Sequence, residues 1–160
     1  MTVRDSYPIP RMDECIDSLG DASVFTTLDA NCGYWQIEID EADRDKTAFT
    51  SHHGLYRFKR MPFGLKNAPG TFQRAADVIL AKVKWQSALV YLDDVIVYSK
   101  TREEHFEHLR TVLELLQAAG ISLKLAKCHF FHDSVDYLGH KISPGKLEVC
   151  LLYTSDAADD

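Results

Sequence analysis

Two adjacent carboxylates, Asp93 and Asp94, stand in the run Tyr91-Leu92-Asp93-Asp94-Val95, between apolar, β-rich stretches from Ser87 to Leu92 and from Val95 to Ser99. The pattern predicts a hairpin with the acidic pair in its tight turn. Like charges held side by side repel unless a cation neutralises them. Hard divalent ions are the natural partners, because magnesium prefers carboxylate and water oxygens together with substrate phosphates. A pair of acids joined by a third on a neighbouring strand would hold two such ions beside a nucleotide triphosphate. Asp29, closing the β-rich run from Val24, is the candidate third acid. Asp-Asp is also ordinary polar turn chemistry, so the reading depends on the residues that accompany it.

The elements that must position these acids follow from periodicity. Met12, Cys15, Ile16 and Leu19 share one helical face, which predicts a short helix from near Pro10 to Gly20. Val24 to Asp29 predicts a strand, and Trp35, Ile37 and Ile39 alternate with Gln36, Glu38 and Asp40 as in a half-buried strand. Thr47 to Ser51 and Leu55 to Arg60 predict a hairpin around His52-His53-Gly54. Phe72, Ala75, Ala76, Ile79, Leu80 and Val83 keep helical spacing, with Asn67 as a candidate cap. Thr101 and Glu104 form a capping-box pattern ahead of Phe106, Leu109, Leu113 and Leu116, and Gly120 closes that helix. Short strands are expected at Ile121 to Leu125, Phe130 to Phe131 and Val135 to Ile142. The order predicts an α+β fold, a layer of helices on a mostly antiparallel sheet.

With 46% hydrophobic and 26% charged residues in 160, the chain has enough apolar material for one core. No apolar run reaches membrane-spanning length and no signal-peptide pattern follows Met1, so a soluble, intracellular protein without a membrane partner is expected. Cys15, Cys32, Cys128 and Cys150 lack zinc-site spacing and read as free thiols. The net charge of −6 argues mildly against nucleic acid as a partner. Three of the acids, Asp156, Asp159 and Asp160, fall in the last eleven residues, which leaves −3 for residues 1–149. Carboxylates that hold metal cations lower the formal charge further.

Several segments around the acids form an ordered series. Thr27-Leu28-Asp29, Gly33-Tyr34-Trp35-Gln36-Ile37, Lys46-Thr47-Ala48-Phe49, Met61 to Pro69 (MPFGLKNAP), Thr71-Phe72-Gln73-Arg74 and Tyr91-Leu92-Asp93-Asp94 resemble successive motifs of gypsy-type retrotransposon reverse transcriptases. The likeness continues through Tyr98-Ser99-Lys100, Glu104-His105, His108-Leu109, Leu125-Ala126-Lys127-Cys128 and Tyr137-Leu138-Gly139-His140, covering about residues 6–149.

The resemblance implies a polymerase palm-type antiparallel sheet backed by helices, with part of the fingers, and RNA-directed DNA polymerase activity. Asp29, Asp93 and Asp94 match the family's metal-binding acids and would hold two magnesium ions, with manganese able to substitute. Tyr34 matches an aromatic residue under the incoming sugar that would exclude a 2′-hydroxyl, although a core aromatic fits the same position. Ala30, Phe63 and Gly64 fall with Tyr34 in the nucleotide-binding set, a plain turn being the other account of Phe63-Gly64. Lys127 matches a proton donor to pyrophosphate, or is a solvated lysine. Leu138, Gly139 and His140 resemble the loop that holds the primer end, or form a tight strand turn. Implied partners are an RNA or DNA template-primer, deoxynucleoside triphosphates, and the protease, ribonuclease H and integrase of a Pol polyprotein; the implied location is the cytoplasm or virus-like particles.

Three departures accompany the likeness. The family's basic upstream segment has no counterpart before Ser6, residues 150–160 resemble none of its downstream parts and are expected to be a disordered tail, and Gly70 stands where the family usually has alanine. A catalytically incompetent palm that only binds nucleic acid or a partner chain is therefore the competing expectation. A metal-dependent nuclease also uses acidic triads but leaves Tyr34 and the Met61–Pro69 segment unexplained. His105 and His108, three apart on a capped helix beside Glu104 and Glu107, have a spacing that can ligate metal, but no second such helix exists to complete a site.

Overall fold

A computed structural model describes residue 3 and residues 5–149. The expectations for the 150–160 tail and for Cys150 lie outside the described residues. Strand β1 (Val24–Asp29) pairs antiparallel with β5 (Asp94–Ser99), which pairs with β4 (Ala88–Tyr91); β6 (His129–His132) lies on the other edge, giving the order β4-β5-β1-β6. A second sheet contains β7 (Val135–Tyr137), β8 (His140–Ser143) and β9 (Lys146–Val149), and a hairpin is made of β2 (Phe49–Ser51) and β3 (Gly54–Tyr56). The helices are α1 (Met12–Asp17), the single-turn α2 (Glu41–Arg44), α3 (Ala68–Ile79) and α4 (Arg102–Ala118). No helix among the described residues is long and apolar enough to cross a membrane.

Apolar residues on both faces make β5 the centre of the molecule. Val95 and Val97 join Leu28, Val90, Leu80, Val112 and Leu116 in a cluster under α3 and α4. Ile96 and Tyr98, one residue out of phase, join Phe25, Leu89, Cys15, Leu19, Tyr137 and Ile142 under α1 and the β7–β8 hairpin. The two-residue period of a strand thus assigns each side chain to one layer or the other. The second cluster's face also carries Thr27, Asp29 and Asp94.

Helix α4 starts as predicted: the Thr101 hydroxyl accepts from Glu104 N–H at 3.2 Å. Helix α3 is shorter than its apolar spacing suggests and ends at Ile79, and Asn67 makes no side-chain cap. The Asn67 amide instead ties down the preceding chain, accepting from Asp5 N–H at 3.1 Å and donating to the Val3 carbonyl at 2.9 Å.

Two predicted strands are each reduced to a single β-bridge next to a turn of 3₁₀ helix. Residues Gly33–Gln36 form such a turn, with Cys32 left-handed at φ 51, and only Ile37 to Ile39 run extended against Lys59 to Met61. The reason lies in Gly33 and Gln36. A Cβ on Gly33 would come within 2.9 Å of the Phe72 ring, so the chain must turn sharply where it passes α3. The Gln36 amide meets Asn31 O at 2.7 Å, Ser122 O at 2.9 Å and Ser122 N–H at 2.7 Å, fastening the turn to a distant loop. In that loop, Ile121 to Leu125 contributes one β-bridge, Leu123 to Ala30, before a 3₁₀ turn at Leu125–Lys127.

Candidate active site

Register brings two of the three acids together. Asp29, last in β1, is paired with Asp94, first in β5. Both belong to the face whose buried members include Phe25 and Ile96. The turn of the hairpin is Leu92-Asp93, with Tyr91 opposite Asp94. The expectation that both acids occupy the turn is therefore corrected by one residue: Asp94 is already strand, and Leu92 takes the positive φ, at 53°. A two-residue hairpin turn needs such a value to match the strand twist.

Gln73 of α3 holds that turn. Its side chain is fully buried; Oε1 accepts from Leu92 N–H at 2.7 Å, and Nε2 donates to Val90 O at 3.1 Å and to Asp77 Oδ1 at 3.0 Å. The backbone of Asp29 is held from the other side: Lys124 N–H donates to Asp29 O at 2.9 Å, and Asp29 N–H reaches Cys128 Sγ at 3.5 Å. Sequence reasoning missed these roles of Gln73 and Cys128, although both stand inside quoted motifs. A glutamine at a buried helical position, one residue after Phe72, was the available signal.

A cleft of about 190 Å³ opens on the paired acids, lined by Thr27, Asp29, Asp94, Lys127, Asp136, Tyr137, Leu138 and Gly139 among others. Lys127 Nζ stands 3.6 Å from Asp29 Oδ2. Leu138 (φ 50) and Gly139 (φ 76) form the two-residue turn between β7 and β8, the left-handed pair a tight hairpin requires. This turn brings Leu138 and Gly139 to the acids. His140 is not brought there: its Nδ1 lies 2.9 Å from Leu138 O, and the residue lines a separate groove with Ile9, Met12 and Tyr91.

Beside Asp93 stands a group of aromatic rings. Tyr34 packs on Phe63 (ring centroids 5.1 Å) and edge-on to Phe72 (5.8 Å). The exposed Phe63 also meets Trp35, at 6.4 Å. Gly64 follows at φ 88, with open space around it; its need is conformational. Ala30 is buried, its side chain in the small cluster of Met61, Ala68 and Phe72, so only its main chain can face a nucleotide. Asp93 Oδ1 lies 3.4 Å from the position a Gly33 Cβ would take. Glycine at 33 thus leaves room for both the Phe72 ring and the carboxylate.

The electrostatics are those of crowded anions. Burial, then the charges of Asp94 and Asp29, push the Asp93 carboxyl above the usual carboxylate range. Burial and Asp29 do the same to Asp94, with Lys127 opposing. Burial and Asp93 raise the Tyr34 phenol. Asp93 Oδ1 and the Tyr137 hydroxyl are buried without a hydrogen-bond partner. A hard cation would satisfy such an oxygen and reverse both carboxyl shifts. Among the described residues no three Asp, Glu, His or Cys side chains stand together in a group that could hold a metal ion, so Asp29, Asp93 and Asp94 are not gathered into one triad. An open set suits magnesium, which keeps waters and takes substrate phosphates in place of a full set of protein ligands. The unpartnered Asp93 Oδ1 and the facing carboxyls of Asp29 and Asp94 are oxygen donors of the kind such an ion takes.

Helices over an antiparallel sheet, with acids at facing strand ends beside a hairpin turn, define a palm-type α+β fold. The chain belongs to the reverse transcriptase (RNA-dependent DNA polymerase) family, whose profile matches residues 1–142. It is 44% identical over 144 residues to the retrovirus-related Pol polyprotein from transposon 297 of Drosophila melanogaster, covering 90% of this chain and 14% of that protein. The corresponding polyprotein from transposon gypsy of the same organism is 44% identical over 142 residues, covering 89% of this chain and 14% of its own length. The chain thus spans about a seventh of these curated relatives. A foamy viral protease-reverse transcriptase in complex with double-stranded DNA shares the fold at a TM-score of 0.84 and 24% identity, over 92% of this chain and 26% of that one.

Proposed function

We propose that this chain is the catalytic palm of an RNA-directed DNA polymerase, joining deoxynucleoside triphosphates to a primer 3′-hydroxyl on an RNA or DNA template within a Pol polyprotein. The observation that carries the reading is the pairing of Asp29 with Asp94, one residue from the buried and unpartnered Asp93 Oδ1. Asp29, Asp93 and Asp94 would hold two magnesium ions, which when bound make a hydroxyl more acidic and neutralise phosphate charge.

The remaining residues bind and orient. Leu138 and Gly139 present turn backbone to the cleft, where the primer end would lie against them. Tyr34, backed by Phe63 and Phe72, forms a wall beside Asp93 that would leave no room for a 2′-hydroxyl. Lys127, at the mouth of the cleft, would place positive charge and a proton next to the departing pyrophosphate. Gln73 holds the hairpin turn so that Asp93 need not be ordered during the reaction.

Primer extension on an RNA template with magnesium tests the reading. Asp93→Asn keeps the shape and removes the charge, and a loss on the order of 100-fold or more is expected. Equal extension by the two proteins would dismiss it.

A further inference from the structure

The pair His105 and His108 is used in a way its spacing did not suggest. His105 has no exposed surface. Its Nε2 lies 2.7 Å from Thr26 Oγ1 on β1, and its Nδ1 lies 2.9 Å from Ser99 Oγ at the end of β5. Ser99 Oγ also meets His108 Nδ1 at 2.8 Å, and Thr26 Oγ1 accepts from Phe131 N–H of β6 at 3.2 Å. The ring packs edge-on against Phe131, with centroids 4.9 Å apart. One side chain of α4 therefore reaches polar groups on β5 and β1 and, through Thr26, on β6.

The protons have a consistent direction along this chain. Thr26 is fully buried and already accepts from Phe131 N–H, so its own hydroxyl proton needs an acceptor, and His105 Nε2 supplies one. A neutral ring then carries its proton on Nδ1 and donates to Ser99, which donates to His108 Nδ1. Run the other way, the chain gives the Thr26 proton no acceptor within the network. Burial, with His108 adding to it, holds the His105 imidazole down to about 4, so the neutral ring is the stable form.

We propose that His105 is a positioning residue: it pins the register of β1 on β5 and thereby holds Asp29 opposite Asp94. This rests on the acid-site reading above. Side chains alternate between the two faces with a period of two, so a slip of two residues would leave every side chain on its own face. Apolar packing alone discriminates weakly against such a slip. It would, however, separate Asp29 from Asp94 and strip the buried hydroxyls of Thr26 and Ser99 of their partners, which is costly.

The test uses the full chain. His105→Phe keeps bulk and removes both hydrogen bonds, and His105→Gln keeps a donor and an acceptor. Thr26→Val is isosteric, cuts one link, and serves if the Phe variant does not fold. Thermal melting establishes folding, cross-strand nuclear Overhauser contacts report the register, and electron paramagnetic resonance reports Mn²⁺ binding. The folded Phe and Val variants are expected to keep the β4–β5 contacts, lose the β1–β5 contacts at Asp29–Asp94, and bind Mn²⁺ about tenfold more weakly, with Gln restoring both. A merely structural His105 would lower the melting temperature while register and Mn²⁺ affinity of the folded protein stayed at wild-type values, and that result overturns the proposal. If the wild type binds no Mn²⁺, the acid-site reading fails on its own, and the Overhauser contacts alone decide: their loss supports the pin and their retention overturns it.

Discussion

Gln73 occupies a helix position where an apolar side chain would pack as well, yet both ends of its amide are committed to the backbone of the β4–β5 hairpin. Replacement by leucine would keep the volume and leave Leu92 N–H and Val90 O to find other partners in a buried setting. Each orphaned group of this kind costs about 1–3 kcal/mol, so with two of them Gln73→Leu should destabilise the fold by about 2 kcal/mol or more in a urea titration. It should also weaken primer extension beyond what its stability loss explains, because Leu92 immediately precedes Asp93. A Gln73→Leu protein as stable as the wild type would show that the amide clamp is dispensable.

Among the elements, α4 illustrates a boundary readable before any coordinates, since Thr101 caps it through Glu104 N–H. Thr101→Ala should cost about 1 kcal/mol in thermal or denaturant unfolding. The hairpin of β4 and β5 and the strand β1 were legible for the same reason, since alternation and turn chemistry are local properties, while the turn at Leu138-Gly139 stood only as the competing account of a primer-holding loop. The segment from Gly33 to Gln36 was not legible. Its alternating residues imitate a strand, but its conformation is imposed by Phe72, Asp93 and Ser122, all distant in sequence. The acids themselves were identified from the motif series, whereas the pairing that makes Asp29 face Asp94 is long-range. The separation of His140 from Leu138 and Gly139 was likewise hidden, because a tight turn sends consecutive side chains in different directions.

At the scale of the whole molecule, buried ionisable groups make stability depend on pH in opposing ways. His105 is held neutral down to about 4, while an unfolded histidine takes its proton near 6.5. Between those values the unfolded chain binds the extra proton, so this contribution, present above pH 6.5, is lost as pH falls toward 4, by at most about 3 kcal/mol. Asp93 and Asp94 act the other way: their carboxyls titrate above the usual range in the folded protein, so acid relieves a repulsion that persists at neutral pH. Denaturation midpoints at pH 7 and pH 4.5 should therefore fall more steeply for the wild type than for His105→Gln, and equal slopes would deny His105 its part in the pH dependence. The strand order has a kinetic corollary. Because β1 neighbours β5 and not the strands that directly follow it, the acidic pair cannot assemble until the intervening hairpin and α3 have been gathered in. Loops of that length close slowly, and any competence to bind a divalent ion should emerge late in refolding, as a report that the whole sheet has been completed.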